Sequence, residues 1–292
     1  MKAPQYLRSR DALAAHLGRP RVELEELAAH TTLLVKRSSR SKSGGGVRLI
    51  IAARPELKAV HKLIKRHILD RVPFPFCVHG YCPGRSQVTA ARRHVGHPYL
   101  LSMDIQAFYP SVGHRAVNVA WTRLGAAPPV ADLLTRLTTC DYQLPQGFTT
   151  SQALANLVRS PLDGRMVEMA RQRNLTYTSF CDNLFLSGQV ISTRIVETCR
   201  QIARCYRWRL HKVSLAGPDA TKLVLGIVVG DELDITQEYY DSVVGEIAAL
   251  QGRRRVSQSR VKRVKGMIGW VRQIAPDRAE ILAGLLASTL AA

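Results

Sequence analysis

The sequence predicts an α+β fold, a middle of mixed strands and helices between two basic lobes. Three observations carry the expectation. Apolar residues recur at helical spacing in several long segments and as short continuous runs between them, the pattern of helices interspersed with buried strands. Hydrophobic residues make up 46% of the 292 and charged residues 22%, so a sizeable core can be buried and wholesale disorder is excluded. Lys and Arg number 42 against 22 Asp and Glu, a formal charge of +20. That surplus asks for a polyanionic partner, with nucleic acid ahead of acidic lipid.

Taken in order, residues 10–30 read as a helical segment, with Leu13, Leu17, Leu24 and Leu27 near helical spacing. Residues 32–36 form a short β-like run and residues 47–52 a second one. Between them, residues 38–46 supply Gly and Ser for a flexible turn and Arg40 and Lys42 for charge, which makes a hairpin with a basic tip. Residues 57–69 read as a basic helix. After a proline-rich passage, residues 99–105 are an apolar strand, 151–171 a helix and 176–186 a hairpin. Residues 192–206 are a further helix and 222–229 a strand run. From Thr236 onward the pattern is helical and basic.

No apolar run approaches the roughly 18–20 residues of a membrane span. The first thirty residues lack the apolar stretch of a secretory signal, so the expected location is the cytoplasm, with no membrane partner. The six cysteines, Cys77, Cys82, Cys140, Cys181, Cys199 and Cys205, include no C-x-x-C pair and read as buried reduced thiols.

Three features point to chemistry. Asp104 ends the apolar run Leu100-Leu101-Ser102-Met103, where a carboxylate is costly to bury unless paired or metal-bound. Asp182 and Asn183 sit between two strand halves, as turn residues tolerant of positive φ or as ligands. The segment Leu144-Pro145-Gln146-Gly147-Phe148-Thr149-Thr150-Ser151 leads into a helix whose first N–H groups and hydroxyls can hold a phosphate or a template strand.

In this order and spacing the features resemble a bacterial reverse transcriptase, most like the retron type. Residues 43–48 (SGGGVR) resemble its fingers hairpin and residues 79–86 (HGYCPGRS) its H-G-F-x-x-G-R-S stretch. Residues 101–112 (LSMDIQAFYPSV) resemble motif A, residues 144–156 motif B, and residues 177–188 (YTSFCDNLFLSG) the Y-A-D-D hairpin.

The resemblance implies a right-hand polymerase with N-terminal helices and fingers over 1–98, an antiparallel palm over 99–230, and a basic helical thumb over 231–292. It implies two Mg²⁺ ions, with Mn²⁺ as an alternative, held by Asp104, Asp182, Asn183 and the Ile105 backbone. It puts Lys36 and Arg48 on the triphosphate and Tyr109 where an aromatic ring blocks a 2′-hydroxyl. Gln146 and Gly147 fall near nucleotide and template. Arg85, His94, Arg253, Arg254, Arg255, Arg260, Lys262, Arg263 and Lys265 become contacts to nucleic acid. The partners implied are dNTPs, a structured non-coding RNA that serves as template and primer, its DNA product and, in antiphage defence, an effector protein.

The chain also departs from the pattern. Asn183 replaces the second carboxylate of Y-A-D-D, and an amide oxygen coordinates more weakly than a carboxylate. Motif B lacks both prolines. N-A-x-x-H reads Ala90-Ala91-Arg92-Arg93-His94, and V-T-G reads Val224-Leu225-Gly226. The motif D lysine position holds Ser214, with Lys212 displaced by two. Two alternatives therefore stand beside the retron reading: another defence or intron-derived reverse transcriptase with different priming, and a catalytically silenced RNA-binding scaffold.

Overall fold

A computed structural model describes residues 4–41, 45–251 and 257–291. Helix α1 (Arg10–Leu17) is capped by the Ser9 hydroxyl and stops at Gly18, whose φ of 61 is left-handed. Pro20 then opens α2 (Arg21–Ala29). The single helical segment expected over 10–30 is thus two helices. Leu17 and Leu24 keep a helical spacing only across a break, because glycine takes the left-handed residue and proline cannot continue the ladder.

Strands β1 (Val35–Ser41) and β2 (Val47–Ala53) form the expected hairpin, in a register that puts Arg40 opposite Arg48 and Lys36 opposite Ala52. The first strand runs further than the sequence suggested, to Ser41. Helix α3 (Pro55–His67) follows and buries Leu57, Val60, His61 and Ile64. Helix α4 (Gln87–Ala91) begins at a reciprocal Ser86–Thr89 cap.

The central sheet has the order β4-β5-β3-β6, all antiparallel, from β3 (Tyr99–Ile105), β4 (Thr176–Phe180), β5 (Asn183–Gly188) and β6 (Leu210–Ala216). Between β3 and β4 run α5 (Phe108–Ser111), α6 (His114–Arg123), α7 (Pro128–Thr138) and α8 (Ser151–Arg171). Helix α9 (Thr193–Cys205) leads into β6, a strand that the sequence reading missed. Its burial is only partial and its polar residues break the alternation, so its pairing with β3 identifies it and its composition does not.

Helix α8 keeps its course despite Pro161. The Ser160 hydroxyl donates to the Leu157 carbonyl at 2.8 Å, the carbonyl that proline deprives of its N–H. The turn joining β4 to β5 is also not as expected. Phe180 pairs with Asn183, and the positive φ, 53, falls on Cys181 and not on Asp182 or Asn183. Gly80 allows the close approach there, since a Cβ on it would lie 2.8 Å from the Cys181 nitrogen.

The expected strand run over 222–229 is a meander of β7 (Leu223–Val224), β8 (Ile227–Val229) and β9 (Leu233–Ile235). Its first turn has positive φ at Leu225 and Gly226. Helices α10 (Gln237–Ala248), α11 (Gln258–Arg272) and α12 (Pro276–Ala291) complete the chain.

Two apolar cores result. The larger joins α1–α3 and α6–α9 to one face of the central sheet, through Leu101, Met103, Leu184 and Leu186. The smaller lies on the other face, where Leu100 and Phe185 meet α4, the meander and α10–α12. The alternation of inward-facing residues along β3 and β5 produces this division. Among the described residues no helix is long and apolar enough to cross a membrane.

Candidate active site

The two carboxylates are brought together by strand pairing. Asp104 lies near the end of β3, a strand paired on both sides, and its register partner is Asn183 on β5. The Ile105 N–H donates to the Asp182 carbonyl at 2.8 Å, which ties the β4–β5 turn to the end of β3. Asp104, Asp182, Ile105, Tyr109, Gln146 and Arg48 all line one open cavity of about 250 Å³.

Electrostatics mark the pair. Burial first, and the Asp182 charge second, raise the Asp104 carboxyl above its ordinary value; His211 and Lys212 pull it the other way. His211 Nδ1 lies 3.5 Å from one Asp104 oxygen and Lys212 Nζ lies 4.0 Å from the other. The Asn183 amide donates to Asp182 Oδ1 at 3.1 Å.

Lys212 reaches this position through a β-bulge. Ser102 faces Ser214 but Asp104 faces His211, so β6 carries one extra residue, and Lys212 has a φ of 46. The bulge aims at Asp104 a lysine that seemed displaced by two in the sequence. Sequence reasoning named neither His211 nor Lys212 as a site residue, since only the strand register reveals them.

The hairpin covers the cleft. Lys36, Arg40 and Arg48 are all exposed and share one face, since paired and alternate residues point the same way. Arg40 joins the two basic residues already expected; its period-two spacing from Lys36 was the available signal. The Ile51 N–H donates to the Gln146 carbonyl at 3.0 Å, docking the hairpin on the loop before α8. Gly147 makes this contact feasible: its φ is 141, and a Cβ would lie 2.7 Å from the Ile51 oxygen.

The hydroxyls of that loop face inward, contrary to the anion-holding role expected of them. Thr150 and Ser151 are buried, and Ser151 donates to the Pro145 carbonyl at 2.7 Å. Tyr109 is half-buried, with its ring edge-on to Phe108 at 5.2 Å. Burial raises its phenol, with the neighbouring Cys181 thiol adding to the shift, so it stays neutral.

Beneath the turn lies a network that the sequence did not announce. Arg159 and Asp163 are fully buried on successive turns of α8 and form an ion pair at 3.1 Å. Arg159 also donates to the Cys181 carbonyl, to Ser179 Oγ at 2.9 Å and to Asn156 Oδ1 at 3.2 Å. Asn156 donates to the Gly80 carbonyl at 2.7 Å, and Tyr177 donates to Asp163 at 2.7 Å. Burial is the largest single influence and opposes the guanidinium charge, but Asp163, Tyr177 and Cys181 together outweigh it and the Arg159 pKa is raised. The only sequence signal was Arg and Asp at i and i+4 in a helix, a pattern that is usually exposed.

Two expected contacts to nucleic acid need correction. His94 is 1% exposed, with its nitrogens 2.7 Å from the Ser187 and Thr178 hydroxyls, and burial lowers its pKa to about 3. It is a neutral core residue that no strand can reach. The Arg85 guanidinium donates to the carbonyls of Phe74, Pro75 and Val78, so it braces a loop and is not free for phosphates. On α11, Arg260, Lys262, Arg263 and Lys265 are exposed, with Arg263 paired to Glu246 at 3.0 Å. Arg253, Arg254 and Arg255 lie outside the described residues.

Paired strand-end carboxylates beneath a basic hairpin, on an antiparallel sheet backed by helices, define a right-hand polymerase. Residues 40–216 match the family model described as reverse transcriptase (RNA-dependent DNA polymerase), and the chain belongs to that family. Within it, the chain resembles the retron type. It is 29% identical over 266 residues to the Retron Mx65 reverse transcriptase of Myxococcus xanthus, covering 83% of this chain and 62% of that one. It is 28% identical over 237 residues to the Retron Ec86 reverse transcriptase of Escherichia coli, covering 77% and 71%. The match to the Mx65 protein thus spans less than two thirds of that relative's length. A solved foamy viral protease-reverse transcriptase in complex with double-stranded DNA shares the fold, with a TM-score of 0.50 at 15% identity, over 92% of this chain and 42% of that one.

Proposed function

We propose that the protein copies RNA into DNA as a retron-type reverse transcriptase, joining a dNTP to a primer hydroxyl with release of pyrophosphate. The observation that carries this reading is that Asp104 and Asp182 line one cleft together with Arg48 of the hairpin, Asp104 lying opposite Asn183 in the sheet. Two oxygen-donor carboxylates, with the Asp182 charge adding to the cost of ionising Asp104, fit hard divalent cations. Among the described residues no group of three or more His, Cys, Asp and Glu could hold a metal ion; here the third donor is an amide. Asp104, Asp182, the Asn183 amide oxygen and the Ile105 carbonyl would hold Mg²⁺ or Mn²⁺. When bound, such ions supply the charge that activates a hydroxyl and stabilises a leaving pyrophosphate.

The chain's own residues do the rest. Lys36, Arg40 and Arg48 neutralise and orient the triphosphate from above. Tyr109 forms a wall against the sugar and selects deoxynucleotides. Gln146, whose carbonyl is fixed by Ile51, positions nucleotide and template. Lys212 and His211 hold the Asp104 carboxylate in place. The exposed cations of α11 follow the duplex backbone. The partner is a structured non-coding RNA, and the product is a short RNA-linked DNA that serves antiphage defence.

Asn183 supports a second reading, an RNA-binding scaffold with a silenced site, because its amide adds a hydrogen bond to Asp182 and no charge. Primer extension on an RNA template with dNTPs, in Mg²⁺ and in Mn²⁺, separates the two. The expected result is DNA synthesis by the unaltered protein, its loss in Asp104→Ala, and synthesis at lower Mg²⁺ in Asn183→Asp. Tight RNA binding with no extension by any of the three, on a free primer and on its own RNA, would establish the scaffold.

A further inference from the structure

The loop Val72-Pro73-Phe74-Pro75-Phe76 has no part in the cleft, yet it is built with care. Two prolines fix its φ angles, Phe74 is buried, and Arg85 donates to the carbonyls of Phe74, Pro75 and Val78. On this braced loop Phe76 is 89% exposed, the highest value of any large apolar side chain among the described residues. The Arg85 guanidinium carbon sits 5.9 Å from its ring centroid, at the outer reach of a cation–π contact. A rigid loop that keeps an aromatic ring in water provides a ready-made stacking surface at no ordering cost on binding.

Beside the ring opens a cavity of about 430 Å³, lined by Phe76, Arg93, Val167, Arg171 and Thr176 over a floor that includes Tyr177. No carboxylate lines it, and it shares no residue with the catalytic cleft. Its volume is in the range of small-ligand sites, roughly 300–1,000 Å³. Arg93 and Arg171 are exposed, and Arg171 donates to Glu168 at 3.3 Å from one nitrogen, which leaves its other N–H groups to solvent. An aromatic face, an adjoining slot and flanking guanidiniums are what an unpaired nucleotide recognises: the base stacks and the phosphates find the cations.

We propose that Phe76, with Arg93 and Arg171, forms a second nucleic-acid site that takes one unpaired nucleotide of a single-stranded RNA segment, away from the catalytic cleft. The +20 charge of the chain favours a polyanion over a protein partner. The choice of RNA rests on the function proposed above. The site would anchor an unpaired stretch of the partner RNA while another part of it is copied.

The test measures binding of a fluorescein-labelled 12-nucleotide single-stranded RNA by anisotropy. The proteins are the unaltered chain, Phe76→Ala, Phe76→Tyr and Arg93→Ala, each checked for folding by circular dichroism. Phe76→Ala is expected to weaken binding about tenfold, and Phe76→Tyr, which keeps the ring, to restore it. Arg93→Ala should weaken it less and reduce its salt dependence, while binding of blunt duplex RNA is the same in all four. Equal affinity of Phe76→Ala and the unaltered protein would overturn the proposal, as would failure of tyrosine to restore binding, or capture of single-stranded DNA of the same sequence but not RNA. Primer extension on a short annealed primer–template, run in parallel, keeps the two readings apart. It should not change in Phe76→Ala; if the unaltered protein extends nothing, on this primer–template or on its own RNA, while RNA binding still depends on Phe76, the polymerase reading fails and the site stands.

Discussion

At Asp182 an amide does part of what a second carboxylate would do and omits the rest. Asn183 donates to Asp182 Oδ1 at 3.1 Å, which orients that carboxylate without the repulsion another anion would add. The same substitution leaves less negative charge for a cation, so the site is easier to hold together empty and harder to load. Tyr109 permits a sharper prediction. Its ring is half-buried, fixed edge-on against Phe108, and lines the cleft beside Asp104. Tyr109→Ala opens the wall against the sugar, so ribonucleotide incorporation relative to deoxynucleotide should rise at least about tenfold, the size of a pocket effect worth ~1–3 kcal/mol. Competing rNTP and dNTP in single-nucleotide extension measures the ratio. Tyr109 was legible because it stands five residues after Asp104 in a motif; Arg40 showed only as charge at the hairpin tip and Lys212 only as a displaced lysine, since a shared hairpin face and a strand bulge exist only once register is set.

The decisive element is α8. It carries Asn156, Arg159 and Asp163 on one buried face and so links the Gly80 segment, β4 and the catalytic turn in a single hydrogen-bonded unit. A lysine at 159 keeps the charge but loses the planar fork that reaches Ser179, Cys181 and Asp163 together. Arg159→Lys should therefore fold with a lowered melting temperature, bind RNA and dNTP with little change, and lose at least about tenfold in the extension rate. Partial loss of a buried paired charge accounts for the stability part, on the order of 3 kcal/mol at most. Single-turnover extension set beside a thermal melt distinguishes a misplaced turn from a general loosening, since loosening would raise KM as well. The sequence showed that residues 151–171 are helical. The side carrying Leu154, Leu157, Leu162 and Met166 was legible too, but the burial of Asn156, Arg159 and Asp163 was not, because a face that buries an ion pair does not read as apolar.

Three buried histidines shape the pH response of the whole molecule. His61, His79 and His94 are 0%, 5% and 1% exposed, and burial lowers their pKa values from 6.5 to about 4, about 4 and about 3. Below 6.5 the unfolded chain takes up protons that the native chain refuses. Their contribution to stability is therefore complete above pH 6.5 and is lost as the pH falls towards 4 and 3. Each histidine adds a slope of up to about 1.4 kcal/mol per pH unit in that window. Urea midpoints between pH 7 and pH 4.5 should fall steeply, and His94→Gln should flatten the slope while keeping a polar group near Ser187 and Thr178. An unchanged slope in that variant would show that His94 titrates normally.

The sequence by itself determined the α+β fold class and the order of the motif segments, because apolar periodicity and motif order are local and survive in one dimension; the resemblance those motifs carry singled out Asp104 and Asp182, which the structure brings to one cleft. The break at Gly18 and Pro20 is equally local, although the leucine period runs across it and masks it. Only the tertiary structure decided the fates of His94 and Arg85, two polar residues that looked available and are occupied by Ser187, Thr178 and three loop carbonyls. It alone brought Lys212 to Asp104 and Arg159 under Cys181. The physical reason is the same in each case. Whether a polar side chain faces a ligand or satisfies a buried partner depends on what lies across the sheet or beneath the helix, and those neighbours are far away in the chain.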